Sequence, residues 1–335
     1  MSWGRVRGHE AVARSFDAAW RKGRLGHAYL FVGPAGVGKH TFARDLARAI
    51  LCEKRSDRLE ACGNCIACSL VDAGTHPDLF LAGRPDDAVD LPIELVRDLI
   101  EHLALKPARG GRKVAILDDA DDLTAEAANA FLKTLEEPPP GSLLILIGGA
   151  TPDRQFSTIL SRCQTVAFHP LPNEVVSGAL TERGVADPTQ RDRLVRLASG
   201  SIGQALALGD DSLWEFRAAL IGALSSDRVD AAGLGKRWIE YVEEAGKEAG
   251  ARRRRASLVL RLLIGMLQDA VRLSHGVPAM VADTAEAKVL GRLADRLGPE
   301  KLMAWADRVA EADLQVDRKV QLDLVIEACA DALAR

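Results

Sequence analysis

The sequence predicts an α/β protein, in which a domain with a parallel sheet is followed by helical units. Three observations predict this fold class. Short apolar runs alternate with helical patterns from residue 27 to about residue 168, a glycine-rich loop that ends in a lysine follows the first run, and no strand pattern appears after Pro170. Strands that alternate with helices are typical of a parallel sheet with crossover helices.

The predicted strands are compact and apolar, and Gly, Pro and Asp residues flank them, as expected for strands buried on both faces. The last crossover helix is expected to end at the run Glu137–Pro140, because proline cannot continue a helix. The predicted strands are His27–Val32, Asp78–Leu81, Lys113–Leu117, Leu143–Ile147 and Gln164–Phe168, and the predicted helices between them are about His40–Leu51, Pro92–Leu105 and Thr124–Glu136.

The remainder of the chain is helical in pattern, with a boundary near Gly209-Asp210. Apolar residues between Leu258 and Leu267 recur on one helix face, which predicts a second helical core. We therefore expect three domains: an α/β domain over residues 1–169, a small helical domain over 170–210 and an all-helical domain over 211–335.

Composition excludes several classes of protein. Apolar residues make up 47% and charged residues 27% of the 335 residues, which is ordinary for a folded globular protein. The formal net charge of −3 gives no overall field that would attract nucleic acid, so a stand-alone DNA binder is disfavoured. The N-terminus lacks the pattern of a cleaved leader, and no apolar stretch approaches the ~18 residues of a membrane helix. A cytoplasmic protein without membrane contact is expected.

The loop Gly33–Lys39 follows a predicted strand and precedes a predicted helix, the context required of a phosphate-binding loop. The motif needs Ser or Thr directly after the lysine to hold magnesium, but this chain has His40 there and Thr41 one position later. One helical position is a rotation of about 100°, so Thr41 is expected to point away from the metal. An active ATPase and a retained loop with weak or no hydrolysis are the two interpretations.

The run Val114–Asp121 has the form of the second nucleotide-binding motif, a buried strand that ends in acidic residues. Asp118 is expected to face magnesium, whereas Asp119 is one methylene shorter than the usual catalytic glutamate. Solvent-facing carboxylates at a strand end are the alternative interpretation. The residues predicted for this degenerate nucleotide site are Gly33, Gly36, Gly38, Lys39, Thr41 and Asp118.

Cys52, Cys62, Cys65 and Cys68 have the spacing C-x9-C-x2-C-x2-C. Four thiolates suit tetrahedral zinc with Zn–S distances near ~2.3 Å, and a full set of protein ligands leaves no position open for catalysis. The sequence therefore predicts a structural Zn²⁺ that holds a loop-rich insertion at about residues 52–76, and unrelated free thiols are the alternative. Cys329, in an alanine-rich stretch, is interpreted as a core residue.

Two further features carry positive charge. Arg162 lies in Thr158–Cys163, before the last predicted strand, and is either an ordinary surface arginine or an arginine finger for ATP on an adjacent subunit. The run Arg252–Arg255 suggests a DNA or partner patch, but consecutive helical residues point in all directions. A solvated helix start or a subunit contact is therefore the favoured interpretation.

These motifs together resemble the bacterial AAA+ clamp-loader family, which includes the delta-prime and gamma/tau subunits of DNA polymerase III. The resemblance covers about residues 5–208 and rests on HAYLFVGPAGVGK, the four-cysteine insertion, AANAFLKTLEEPPP and TILSRC. It implies a RecA-like P-loop domain with a parallel sheet, a small helical lid domain and a C-terminal all-helical collar domain. It also implies a hetero-oligomer that places a sliding clamp on primed DNA.

Departures from the gamma-type pattern favour a subunit of the delta-prime type. The chain has His40 after the P-loop lysine, Asp119 beside Asp118, Gly149 at the sensor position and Gly203 at the lid-arginine position. These departures put ATP and Mg²⁺ binding in doubt, although Thr151 leaves the alignment of the sensor position open.

The resemblance then implies no activity for the chain alone and an arginine, Arg162, supplied in trans to a neighbouring ATPase. The expected partners are gamma/tau and delta subunits, with the clamp and primed DNA reached through the complex at the cytoplasmic replisome. The alternatives are an ATP-hydrolysing gamma/tau-type subunit and a zinc-dependent DNA-binding regulator on a P-loop scaffold.

Overall fold

The computed structural model describes residues 3, 6–54, 57–85, 88, 90–109, 111–152, 155–226 and 228–335. The chain forms two compact units. The first comprises residues 1–175 together with 200–203, and the second comprises residues 176–199 and 204–335. The expected division into three domains stays a prediction.

The first unit contains a parallel sheet, as the sequence predicts. Within the described residues it has five strands, in the order β2-β3-β4-β1-β5, and every adjacent pair is parallel. The predicted strands are confirmed to within one residue at each end. The strands are β1 (Ala28–Val32), β2 (Leu79–Ala82), β3 (Lys113–Leu117), β4 (Ser142–Ile147) and β5 (Gln164–Ala167).

Helices cover both faces of this sheet, and successive side chains of β1 enter two separate cores. Tyr29 and Phe31 belong to one hydrophobic cluster, whereas Leu30 belongs to the other, as alternation along a strand requires. The helices are α1 (Glu10–Arg21), α2 (Lys39–Leu51), α3 (Ile66–Ala73), α4 (Ile93–Ala104), α5 (Ala125–Glu136) and α6 (Ser157–Leu160), with a 3₁₀ turn at Ala120–Asp122.

Within its described residues, the second unit contains helices joined by loops and no strand. The predicted apolar face lies on α12, where Val259, Leu263 and Leu267 are fully buried. Although α12 and α13 are long, no described helix is apolar enough to span a membrane. The unit boundary falls within α7 (Asn173–Glu182), and the helices that follow are α8 (Pro188–Ala198), α9 (Ile202–Ala207), α10 (Asp211–Ser225), α11 (Ala231–Glu243), α12 (Ala249–Ser274), α13 (Thr284–Asp317, kinked at Gly298) and α14 (Leu322–Ala334).

Asp269 on α12 anchors the loop that leads from α12 to α13. Its side chain is buried, and its carboxylate accepts hydrogen bonds from the backbone N–H groups of Met280 at 2.6 Å, Val281 at 2.9 Å and Ala282 at 2.7 Å. A carboxylate that accepts several backbone N–H groups satisfies donors that would otherwise be buried without partners.

Replacing Asp269 by alanine is therefore expected to lower the free energy of unfolding by about 3 kcal/mol, because buried amide donors lose their acceptor. The shift of the urea midpoint of the purified chain measures this loss. Gln268→Ala is the matched control, since Gln268 is the exposed neighbour on the same helix. Equal midpoints for the two variants would contradict the anchoring role.

Candidate functional site

The predicted phosphate-binding loop lies between β1 and α2, and its lysine is bound to the loop itself. Gly33, Gly36 and Gly38 all adopt positive φ, and Lys39 is 8% exposed. The Lys39 ammonium donates to the carbonyl oxygens of Gly33 at 2.5 Å and Pro34 at 2.9 Å. The cation that would bind a phosphate is therefore occupied by acceptors of its own loop.

Burial and three nearby carboxylates act in opposite directions on the charge of this lysine, and burial has the larger effect. Burial lowers the pKa of Lys39, while the carboxylates of Asp118, Asp121 and Asp119 act to raise it. Asp118 and Asp119 follow β3 and Lys39 follows β1, so the chain places them at the same, carboxyl edge of the parallel sheet. The predicted neighbourhood of Lys39 and Asp118 is thus present.

The residues at the positions that would hold magnesium differ from those of an active ATPase site. His40 and Thr41 are both exposed. Among the described residues, the Thr41 hydroxyl has no hydrogen-bond partner. Asp119 adopts a left-handed backbone conformation with φ 54°, which an aspartate tolerates better than most residues do. The hydroxyl that a magnesium site requires is therefore not held in place by this loop.

Asp121 fills the space at the end of β4 where a sensor side chain would stand. Its carboxylate accepts hydrogen bonds from the backbone N–H of Gly149 at 2.7 Å and from the side-chain amide of Gln155. A Cβ atom at Gly149 would lie 2.5 Å from the Asp121 carboxylate. A threonine at Gly149 would therefore require Asp121 to move.

The segment 200–203 closes on the phosphate-binding loop. The Gly203 N–H donates to the Gly36 carbonyl at 3.1 Å, and the Ser201 hydroxyl donates to the Ala35 carbonyl at 2.8 Å. A Cβ atom at Gly203 would lie 2.9 Å from the Gly36 Cα. Any side chain at Gly203, an arginine included, would therefore require the loop or the segment 200–203 to move.

Sequence reasoning missed several residues of this site. The His9 side chain is buried, and its Nε2 lies 2.9 Å from the Val37 carbonyl, to which it donates. Ser201 and Asp121 likewise contact the loop or its surroundings from distant positions in the chain. Each of these contacts joins residues far apart in sequence, and no local motif signals them.

The predicted metal ligands converge. The four sulfur atoms lie within 4.8 Å of one another, with Cys52 and Cys65 at 3.9 Å and Cys62 and Cys68 at 4.0 Å. Tetrahedral zinc with Zn–S near ~2.3 Å requires sulfur atoms about 3.8 Å apart. The geometry of the four thiols therefore fits a zinc ion with only small movements.

The surroundings of Cys65 and Cys68 shift the pKa values of these two thiols in opposite directions. Burial acts to raise the pKa of Cys65, but the backbone N–H groups of Cys68 and Glu53 stabilise its thiolate and bring the pKa to about 6. Burial raises the pKa of Cys68 to about 12, and the adjacent thiols add to this. A bound dication would offset the repulsion among the four thiolates, so the donor set suits a metal such as zinc.

Arg162 lies just after α6, at the amino end of β5. Its side chain is 29% exposed and forms a salt bridge with Glu136, the last residue of α5. The phosphate-binding loop is at the carboxyl end of β1, and β1 and β5 are parallel. Arg162 therefore lies at the amino ends of the parallel strands, and Lys39 lies at their carboxyl ends.

The run Arg252–Arg255 lies in the first two turns of α12, and the side chains of Arg252, Arg253 and Arg255 bind backbone carbonyls of the second unit. The Arg253 guanidinium donates to the Lys319 carbonyl at 3.2 Å, near the end of α13. Arg255 donates to the Tyr241 carbonyl at 3.1 Å and lies over the Tyr241 ring. These contacts favour a structural helix start over a DNA-binding groove.

Comparison with known proteins identifies the family. Residues 8–172 match the family model described as DNA polymerase III, delta subunit. DNA polymerase III subunit delta' of Pseudomonas aeruginosa is 33% identical over 312 residues, which are 90% of this chain and 88% of that protein. The chain belongs to the DNA polymerase III delta' family. The delta' subunit of Escherichia coli is 31% identical over 86% of this chain and 82% of its own length.

The chain is also similar to tau subunits of DNA polymerase III. DNA polymerase III subunit tau of Escherichia coli is 34% identical, but the match covers 67% of this chain and 36% of tau. Among solved structures, a DNA polymerase III gamma subunit-related protein from Thermotoga maritima covers 98% of both chains at 16% identity, with a TM-score of 0.45. The parallel sheet and the helices that follow it agree with the predicted α/β fold class.

Proposed function

We propose that this chain is a clamp-loader subunit that hydrolyses no ATP itself and supplies Arg162 to the ATP site of a neighbouring subunit. Its relatives named delta' and tau support a place in a hetero-oligomer with gamma/tau-type and delta-type subunits. Through that complex the chain acts on a sliding clamp and primed DNA.

The observation that carries this proposal is the separation of Arg162 from the chain's own phosphate-binding loop. Phe168 follows the carboxyl end of β5 and packs against Gly33. Arg162 precedes the amino end of β5, so the whole strand separates it from Gly33. The path from Phe168 to Gln164 alone spans about 13 Å at ~3.3 Å per residue. This separation supports a role of Arg162 at a phosphate on another chain rather than at its own loop.

The state of the loop supports the absence of hydrolysis. Lys39 is bound by loop carbonyls, the Asp121 carboxylate accepts from the Gly149 N–H, and Gly203 is hydrogen-bonded to Gly36. A triphosphate would have to displace the lysine contacts and also meet several carboxylates. The loop is retained as a packing element of the first unit.

The four cysteines are proposed to bind a structural zinc ion. Cys52 follows α2 directly and Cys65 caps the N-terminus of α3, so a shared ion would join the end of one helix to the start of the next. Such an ion contributes folding free energy to this loop-rich insertion, in addition to the burial of Leu59 and Val71 in the adjacent core.

The purified chain alone is expected to show no ATP turnover above the buffer blank, because His40 replaces the magnesium-binding hydroxyl after the lysine and the lysine is occupied. A steady-state phosphate-release assay with MgATP tests this, and Lys39→Ala distinguishes a contaminating ATPase from turnover at this loop. Robust turnover that Lys39→Ala abolishes would instead assign a gamma/tau-type motor. The same preparation is expected to assemble with its sister subunits in size-exclusion chromatography.

A further inference from the structure

Glu136 and Arg162 form an ion pair that occupies the proposed arginine finger within the chain. Oε1 of Glu136 accepts from Nε of Arg162 at 2.9 Å and also from Nη2. On the other edge of the guanidinium, Nη1 donates to the Thr158 carbonyl at 2.9 Å and to the Ser161 hydroxyl at 3.1 Å. Both edges of the planar group are therefore bound by acceptors of the same chain.

A phosphoryl oxygen from another subunit needs one of these edges. Arginine binds phosphate through parallel N–H donors, so a bidentate contact requires at least one present acceptor to leave. Glu136 is the charged acceptor, and two negative groups on one guanidinium would repel each other. Of the present acceptors, the carboxylate of Glu136 is therefore the one whose departure most favours engagement of a triphosphate.

The position of Glu136 indicates a role beyond helix formation. It is the last residue of α5, where the negative end of the helix dipole disfavours a carboxylate. Arg162 offsets this cost in the folded chain. Because the Glu136 side chain is 52% exposed, the pair is easily exchanged, and pairs of this kind shift an equilibrium by no more than about fivefold.

We propose that Glu136 is the positioning residue for Arg162, which stores the guanidinium against α5 until a neighbouring subunit's triphosphate replaces the carboxylate. This inference rests on the proposed function of Arg162 in trans. The ion pair with Glu136 lowers the fraction of chains in which the Arg162 guanidinium is free to bind a phosphate. Binding of the neighbouring subunit's ATP raises that fraction again.

The ion pair between Glu136 and Arg162 can be tested in the isolated chain by the accessibility of Arg162 to a reagent. Phenylglyoxal modifies accessible arginines, and mass spectrometry of the peptide that contains Arg162 gives the rate of its modification. Glu136→Gln is expected to raise that rate by about two- to fivefold, because the amide retains the shape but not the charge. Glu137→Gln is the matched control, since the Glu137 carboxylate has no partner among the described residues. An unchanged rate in Glu136→Gln overturns the proposal.

The reconstituted clamp loader tests the link to catalysis. Without clamp and DNA, Glu136→Gln is expected to raise ATP turnover by about two- to fivefold, and Glu137→Gln to leave it unchanged. In an Arg162→Ala background, Glu136→Gln is expected to change nothing, which a purely structural role of Glu136 would not produce.

The outcomes separate this inference from the function on which it rests. If Arg162→Ala abolishes turnover while Glu136→Gln has no effect or lowers it, storage by Glu136 is wrong and the arginine in trans stands. If Arg162→Ala leaves turnover unchanged, both proposals are wrong. Equal melting temperatures of the variants exclude a folding defect as the cause.

Discussion

Replacing Arg162 by alanine is expected to slow ATP hydrolysis at the neighbouring subunit's site by about 10³-fold, while the complex still assembles. A fixed cation at the γ-phosphate stabilises charge that develops in the transition state, and no other group replaces it when the side chain is removed. Single-turnover phosphate release from the reconstituted complex measures this as loss of the fast phase that belongs to that site.

Two variants control this experiment. Arg162→Lys retains the charge but not the planar donor set, so it is expected to restore only part of the rate. Arg97→Ala removes an exposed arginine from α4 and is expected to leave the rate unchanged. Full activity of the Arg162→Ala complex would reduce Arg162 to a surface residue.

The second large effect is expected at the cysteine cluster. The purified chain is expected to contain one zinc per molecule, and Cys68→Ser is expected to lose that zinc and to destabilise the first unit by about 4 kcal/mol. Cys68 is fully buried, so its replacement also leaves a hydroxyl among apolar neighbours. Metal analysis and thermal unfolding together measure the effect.

Cys163→Ser is the matched control for the zinc experiment. Cys163 is a half-buried thiol outside the cluster, and burial raises its pKa to about 12, so it stays protonated. This variant is expected to retain zinc. A wild-type chain without metal, or a Cys68→Ser variant that keeps its zinc and its melting temperature, would contradict the metal site.

Local patterns predicted much of the fold and the site. Buried strands such as Lys113–Leu117 are continuous apolar runs, and the glycine-rich loop and the cysteine spacing are local motifs, so each was visible in the sequence. Cys329 is fully buried, in agreement with its interpretation as a core residue. The family resemblance, and with it the delta' assignment, was confirmed by the relatives.

The contacts that define the state of the site were not predictable. The closure of Gly203 on Gly36, and the salt bridge between Glu136 and Arg162, each join residues that no periodicity relates. Gly203 stood out only as a departure from a motif, and its close approach to the loop required three-dimensional packing. Long-range pairing depends on the whole fold, and local sequence patterns do not determine it.

The crowding of the four sulfur atoms would leave a metal-free chain open to oxidation by an agent such as hydrogen peroxide. Cys52 and Cys65 lie 3.9 Å apart, and a disulfide has sulfur atoms at about 2.05 Å, so an oxidant that accepts two electrons and two protons from these thiols would need them to move by under 2 Å. Sulfur atoms bound to a cation are withheld from that reaction. A bound ion would therefore act as a protecting group as well as a cross-link, and its loss would expose the insertion to covalent damage.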